Sequence, residues 1–435
     1  MMIGLAELLL SARGGNMKKI EGTYATAIVY TDIIENAAAQ QIQTLCSQPF
    51  AAGSRIRIMP DVHAGTGCVI GFTADLGELV IPSIVGVDIG CGMLTVELGK
   101  ESVDFSELDR IIRQFVPSGM EVHPAPVAEF PELETLHTYG KLQNLPRILG
   151  SIGTLGGGNH FIEVDVDDDG MHYLVIHTGS RNLGKQVAEY YQTLAFRTIR
   201  GGFPSDDQSD IIRPASERRA ELIARYKAEG RTNELEAALE ALNRERRQAD
   251  IPRELCYLTG ENRQAYLHDM RICQTYAAKN RHVIAERVLM NLTGKPLEDY
   301  PFFETIHNYI DHDTSVIRKG AVSAKQGELL LIPINMRDGS LICIGKGNPE
   351  WNCSAPHGAG RLLSRSAARK AFTLEAFAQE MEGIYTTSVG TDTLDECPMA
   401  YKPMESILTN VEPTVEIQKI IRPVYNFKAG EKPED

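Results

Sequence analysis

Apolar residues along this chain fall in short runs that repeatedly end at a glycine turn carrying a chemically active side chain. Leu79–Val85 and Leu94–Leu98 flank Gly86, Gly90 and Gly92, and Asp88 and Cys91 stand between these glycines. The pattern predicts two strands meeting at a tight turn, with a carboxylate and a thiol pushed into one cavity. Glycine there permits positive φ and close backbone approach to a ligand. A second strand signal runs from Asn159 through Glu163 behind a triple glycine, with Asn159, Phe161 and Glu163 on one side and His160 on the other. Tyr173–His177 reads as a buried strand ending at a Thr-Gly-Ser-Arg turn, and Glu328–Pro333, Leu341–Ile344 and Ile420–Phe427 as further strands.

Helical spacing marks Glu35–Leu45, Asp104–Phe115, Gln186–Arg197 and the long segment Glu261–Leu292. Pro117–Pro146 reads as loop with short helices. The glycines around His357 predict a helix opening near Ala355–Arg361 and running to about Phe372, a place for an anion beside Arg361 and Arg365. Glu217–Asp250 is dense in Arg, Glu and Ala, with Leu235, Leu239 and Leu242 at helical spacing and Gly230 near a turn. It predicts a solvated helical hairpin without chemistry of its own. No internal repeat or linker divides residues 1–435, so one domain is expected, with a helical insertion at about 205–250.

Composition narrows the class. With 435 residues, 43% hydrophobic and 23% charged, the chain can bury a large core. No apolar run reaches membrane-spanning length, and Leu5–Leu10 is too short for a signal peptide. Eight cysteines without a C-x-x-C motif predict free thiols in a reducing cytoplasm rather than a secreted disulfide framework. A net charge of −14 excludes indiscriminate coating of nucleic acid, though not a local basic groove.

Against that background Asp88, Cys91 and several histidines, each at a strand end or glycine turn, are candidate metal ligands. His307 and His312 lie five apart, which does not match helical i, i+4 pairing, so only one is expected to ligate. His63, with Asp61 on a short strand or turn, reads as a structural hydrogen-bonder. One cysteine between two histidine sets could bridge two cations, and ligand softness alone points to zinc. The residues by themselves imply a metalloenzyme with an anionic substrate.

Pro60-Asp-Val-His63-Ala-Gly, Val87-Asp-Ile-Gly-Cys-Gly92, Gly156-Gly-Gly-Asn-His160, His177-Thr-Gly-Ser-Arg181, Arg318-Lys-Gly-Ala-Val322 and His357-Gly-Ala-Gly-Arg361 together resemble the RtcB family of RNA-splicing ligases, in order over nearly the whole chain. The resemblance implies an α+β fold: a single RtcB-like domain with a central β core, peripheral helices and a dinuclear metal cleft. It implies joining of 2′,3′-cyclic phosphate or 3′-phosphate RNA ends to 5′-hydroxyl ends, in RNA splicing or repair, with GTP and two Mn2+ ions in place of zinc. An activating protein partner would fit the same family context. By the same resemblance His357 is the guanylylated nucleophile. Asp88, Cys91 and His160 would hold one manganese, and Cys91, His177 and His307 the other. Asn159, His160, Phe161, Ile162, Glu163, His307, Asn308, Ser340, His357, Gly358, Ala359, Gly360 and Lys428 correspond to guanylate-contacting positions. The nucleotide loop departs from the family's Pro-Gly-Ser-Met. Pro333, Ile334, Asn335 and Met336 stand there, which predicts an altered loop path and a divergent branch of the family. Two competing readings are a metal-dependent phosphohydrolase acting on RNA ends without ligation and an RNA-binding accessory protein. A binding protein has no need of the intact Asp, Cys and His set.

Overall fold

The computed structural model describes residues 17–200, 215–231, 234–240 and 251–429. The Leu5–Leu10 cluster lies outside them. Among the described residues two large sheets, a two-stranded one and a set of flanking helices make up an α+β fold.

The larger sheet has the strand order Leu329–Asn335, Gly339–Gly345, Val415–Lys428, Phe161–Val166, His172–Thr178, Gly92–Gly99 and Phe302–Ile306. Neighbours along this path pair antiparallel. The Leu331 N–H donates to Thr305 Oγ1 at 3.0 Å, joining the first strand to the last. The sheet therefore curls nearly into a barrel, which brings the ends of non-adjacent strands round one opening. The smaller sheet runs Lys18–Glu21, Thr26–Val29, Ile56–His63, Ile70–Ala74, Ile317–Lys319 and Asn308–Ile310.

The expected helices form at Asn36–Cys46, Phe105–Phe115, Arg181–Arg200 and Gly260–Leu292. Asp104 caps the second of these, accepting the Glu107 N–H at 3.0 Å. Residues 117–146 carry only short turns of 3-10 helix and the start of Leu145–Gly150. The charged segment begins as the helix Ala215–Ala228 and turns at Gly230, φ +66°; residues 235–240 are helical again. The flanks of the expected insertion, 205–214 and 241–250, lie outside the described residues. None of the eight cysteines is in a disulfide. Among the described residues, no helix is long and apolar enough to cross a membrane.

Two expectations need correction. Leu79–Val85 is not a strand: Val80 makes one isolated bridge to Leu258, and Pro82–Val85 is a short helix. Pro82 sits in its first turn, where a missing N–H costs nothing, and Gly86 ends it at φ +93°. Nor does a helix open at His357. Ser354–Pro356 is a strand paired with Ala321–Ser323, and the helix begins only at Arg365, capped by Ser364. Gly360 at φ +77° lies against Asp61 backbone, so residues 357–361 form a loop across the cleft.

The helix Gly260–Leu292 is the spine. Tyr266, Met270, Cys273 and Tyr276 pack into the core beside the smaller sheet, and Ile284, Val288 and Leu289 into the core under the larger one. Fully burying each of the latter three contributes about 1.5–3 kcal/mol. Between the two apolar stretches stand buried Asn280 and Arg281, aimed at backbone. Asn280 Oδ1 accepts from the Gly153 and Thr154 N–H groups at 2.7 and 3.0 Å, and Nδ2 donates to the Thr154 and Gly179 carbonyls at 3.1 and 3.2 Å. Arg281 Nη1 donates to the Gly90 and Thr178 carbonyls, both at 3.0 Å, and Nε to Glu304 at 2.9 Å. Three loops are thereby tied to one helix.

Asn280→Ala leaves several of these buried backbone groups unpaired, so a loss on the order of 3 kcal/mol is expected. Urea unfolding of the variant checks it, and a loss below about 1 kcal/mol would mean that the loops hold without this residue.

Candidate metal and nucleotide site

Those three loops converge on Cys91. Gly90 at φ +71° passes so close to Gln274 that a side chain there would collide. The thiol consequently stands at the start of strand Gly92–Gly99, at the rim of the opening. Cys91 Sγ lies 3.4 Å from His160 Nε2 and 3.3 Å from His177 Nε2. Asp88 Oδ2 is 3.1 Å from His160 Nε2, and Asp88 Oδ1 accepts the Ser180 N–H at 3.0 Å. Gly179 is needed here because a Cβ would overlap the Asp88 carboxylate. His177 and His307 rings meet edge to face at 5.2 Å, and His307 and His357 rings at 4.9 Å.

The other face of each imidazole is anchored. His160 Nδ1–H donates to the Leu155 carbonyl at 2.9 Å and His177 Nδ1–H to the Asn159 carbonyl at 3.1 Å. These bonds fix the tautomer, so that the Nε2 lone pairs point at the cluster. Burial holds His177 and His307 well below the ordinary histidine range, helped by the neighbouring imidazoles, and leaves them neutral near pH 7. Burial pushes the Cys91 thiol well up, and the Asp88 charge adds to it. Burial would raise Asp88 too, but its contact with His160, helped by Cys91 and Arg181, outweighs it and holds the carboxyl down to about 2.

Two overlapping groups, Asp88–Cys91–His160 and Cys91–His177–His307, bring their ligand atoms within 4.8 Å of one another. His307 Nδ1 is buried without a hydrogen-bond partner, as a lone pair kept for a cation would be. The residues fit two metal ions sharing Cys91. A bound cation would deprotonate the thiol that burial alone keeps protonated. His312 stays outside, on Arg271 at 3.3 Å.

The cluster forms one wall of a cavity of about 500 Å³, within the range of small-molecule sites. Asn159, Phe161, Glu163, Asn308, residues 333–336, His357–Gly360 and Lys428 line it as well. Ile162 points instead into the core under the sheet, and Ser340 is fully buried in its strand. Ile334 turns its side chain into the core with Val322, Leu330 and Leu341. Asn335 folds back on its own turn, accepting from the Arg337 and Asp338 N–H groups and donating to Asp338 at 2.9 Å. Burial raises Glu163 to about 7 although Asn426 donates to it at 2.8 Å and Lys428 lies near. Asp165, on the same strand face, is pushed well up by burial and by the Glu163 charge. Lys428 pairs with Glu396 at 2.9 Å, and Glu396 also takes Arg361 and Arg365. Arg365 further pairs with Asp395 at 2.8 Å, so neither arginine stands free at a helix start for an anion.

Asp61 escaped the sequence reading as a site residue. It is fully buried, and its Oδ2 accepts His357 Nδ1–H at 2.7 Å and the His357 backbone N–H at 3.2 Å. The signal was a carboxylate inside the apolar run Ile56–Val62, where a charge needs a partner. His63 donates Nδ1–H to the Asp61 carbonyl at 3.0 Å and also lines the cavity.

Comparison with known proteins shows the family. The profile of the family described as "RtcB: tRNA-splicing ligase RtcB" matches residues 41–141 and 137–429. The chain belongs to the RtcB family. It is 30% identical to the RNA-splicing ligase RtcB of Escherichia coli K12, over 91% of this chain and 95% of that relative. It is 26% identical to the tRNA-splicing ligase RtcB of Pyrobaculum aerophilum, over 84% and 85%. To the tRNA-splicing ligase RtcB of Aeropyrum pernix it is 27% identical, over 88% and 90%.

Cys91→Ser is expected to lower divalent metal binding at both halves of the cluster, and His177→Ala at one. Elemental analysis of the two purified RtcB variants decides. Equal, single-ion losses would show that the thiol is not shared.

Proposed function

We propose that this RtcB chain is a GTP- and Mn2+-dependent RNA ligase that joins 2′,3′-cyclic phosphate or 3′-phosphate ends to 5′-hydroxyl ends. One observation carries the reading: His357, with Nδ1–H held by buried Asp61, faces the same cavity as the Cys91 cluster.

The Asp61 bond leaves Nε2 of His357 as the nucleophilic nitrogen, the role a carboxylate plays for any catalytic imidazole it orients. Nε2 attacks the α-phosphorus of GTP. A phosphorus–nitrogen bond forms, the bond to the bridging oxygen breaks, and pyrophosphate leaves. An oxygen of the RNA 3′-phosphate then attacks the same phosphorus and releases His357. The 5′-hydroxyl attacks the activated 3′-phosphate, forms the phosphodiester and displaces GMP. A cyclic end must first be opened by water to a 3′-phosphate. Two Mn2+ ions held by Asp88, Cys91, His160, His177 and His307 would neutralise phosphate charge and polarise the attacked groups. The neutral state of His177 and His307 suits them to that task. Glu163, Asn308 and Lys428 are assigned to the guanine and ribose. The reducing cytoplasm suits an unpaired Cys91. The relatives are RNA-splicing and tRNA-splicing ligases, which supports RNA as the partner.

Labelled GTP tests the reading. Wild type is expected to retain labelled GMP on the protein, and His357→Ala to retain none while keeping its metal. Asp61→Asn offers the ring a donor instead of an acceptor and favours the wrong tautomer. Labelling should fall by about two to four orders of magnitude. Undiminished labelling of His357→Ala would overturn the nucleophile, and with it the ligase mechanism.

We further assign residues 205–250 to an insertion that carries none of the catalytic groups. Replacing them with a short Gly/Ser linker is expected to leave GMP transfer from GTP unchanged while altering the choice of RNA. Collapse of GMP transfer in that variant would make the segment part of the catalytic scaffold.

A further inference from the structure

Away from the catalytic cavity, His137, His268 and Asp269 bring one ligand atom each to within 4.8 Å of one another. The two imidazoles come from different elements. His137 lies between the turns Pro131–Thr135 and Tyr139–Lys141, and His268 on the helix Gly260–Leu292. Their rings cross edge to face with centroids 4.9 Å apart, and His268 Nδ1 stands 3.1 Å from Asp269 Oδ1.

Burial divides the trio. Both histidines are exposed, and Asp269 is wholly buried. The carboxylate is fixed from below. It accepts the His137 and Thr138 N–H groups at 2.8 and 3.0 Å, the Thr138 hydroxyl at 2.8 Å and the Tyr191 hydroxyl at 3.0 Å. Capping those amides accounts for the carboxylate. It does not account for two imidazole rings that each bring a nitrogen to within 4.8 Å of that carboxylate.

We propose that these residues form a second, surface metal site for a zinc-class transition ion. Two imidazoles and one carboxylate match zinc and its neighbours, not magnesium or calcium, which want an all-oxygen shell. The ion would take the place of the hydrogen bond between His268 and Asp269, and water would complete its coordination. It would pin the segment around His137 to the helix whose Asn280 and Arg281 hold the catalytic loops. Occupancy of this outer site would thus stiffen the support of the inner one, whatever reaction the cavity performs.

The test uses zinc alone on the full chain. Native mass spectrometry at equal free Zn2+ compares wild type with the His137→Ala/His268→Ala double variant, and His137→Gln/His268→Gln serves as a second variant if the first unfolds. The double variant is expected to carry one zinc ion fewer than wild type. The zinc-induced rise in melting temperature should shrink with it, while guanine nucleotide binding stays unchanged. Equal zinc content in wild type and double variant overturns the site.

Discussion

Burial that keeps the His177 and His307 imidazoles and the Cys91 thiol neutral is the constraint on which this molecule depends. Cys91 Sγ touches two imidazole nitrogens at 3.3–3.4 Å. Charged imidazoles at that spacing would repel one another. Burial prevents it by holding His177 and His307 neutral and keeping the thiol protonated until a cation arrives. Such a cluster does not assemble by itself, because each donor is polar and desolvated. The Leu155 and Asn159 carbonyls orient the rings from behind, and Asn280 and Arg281 hold the loops that carry them. The long helix is therefore part of the site, although none of its residues lines the cavity.

The legible part of the sequence was the part governed by local rules. Apolar runs bounded by glycine turns announced the strands Gly92–Gly99, Phe161–Val166 and His172–Thr178, with Cys91 and His177 at strand ends, while Leu79–Val85, read in the same way, proved not to be a strand. The donor types, a thiol among histidines, pointed to metal before any family likeness was considered. The long helix Gly260–Leu292 and the shorter one that opens after Asp104 followed from spacing alone. Spacing allowed only one of His307 and His312 as a ligand without saying which; the structure puts His307 in the cluster and His312 on Arg271.

What stayed hidden depended on tertiary partners. The glycine-rich stretch at His357 reads locally as a helix start. Pairing of Ser354–Pro356 with Ala321–Ser323 and the close approach of Gly360 to Asp61 make it a loop. Pro82 belongs to an apolar run, yet the short helix it opens could only be seen once Gly86 had turned the chain. Asp61 lies 296 residues from His357, and no periodicity connects them. A buried carboxylate declares that it needs a partner without naming it. Arg361 and Arg365 show the converse. Their charge suggested an anion, and Asp395 and Glu396 had already claimed it.

The loop at residues 333–336 shows why a departure from a family pattern must be judged by direction as well as identity. Replacing glycine with isoleucine in a wall facing a ligand should crowd the ligand. Here the strand carries an irregularity between Pro333 and Asn335, and Ile334 sends its side chain away from the cavity into the apolar core. Its burial to 3% exposure adds packing where a glycine would leave a void. Asn335 in turn spends its carbonyl oxygen on two backbone N–H groups of its own turn. A Cβ on Gly358 would stand 3.1 Å from the Pro333 carbonyl, so main chain faces main chain across this part of the wall. Both substitutions thus act on the stiffness of the loop more than on its contacts. An isoleucine locked in the core and an asparagine closing the turn lower the loop's freedom before any ligand arrives, which reduces the ordering cost that binding must overcome.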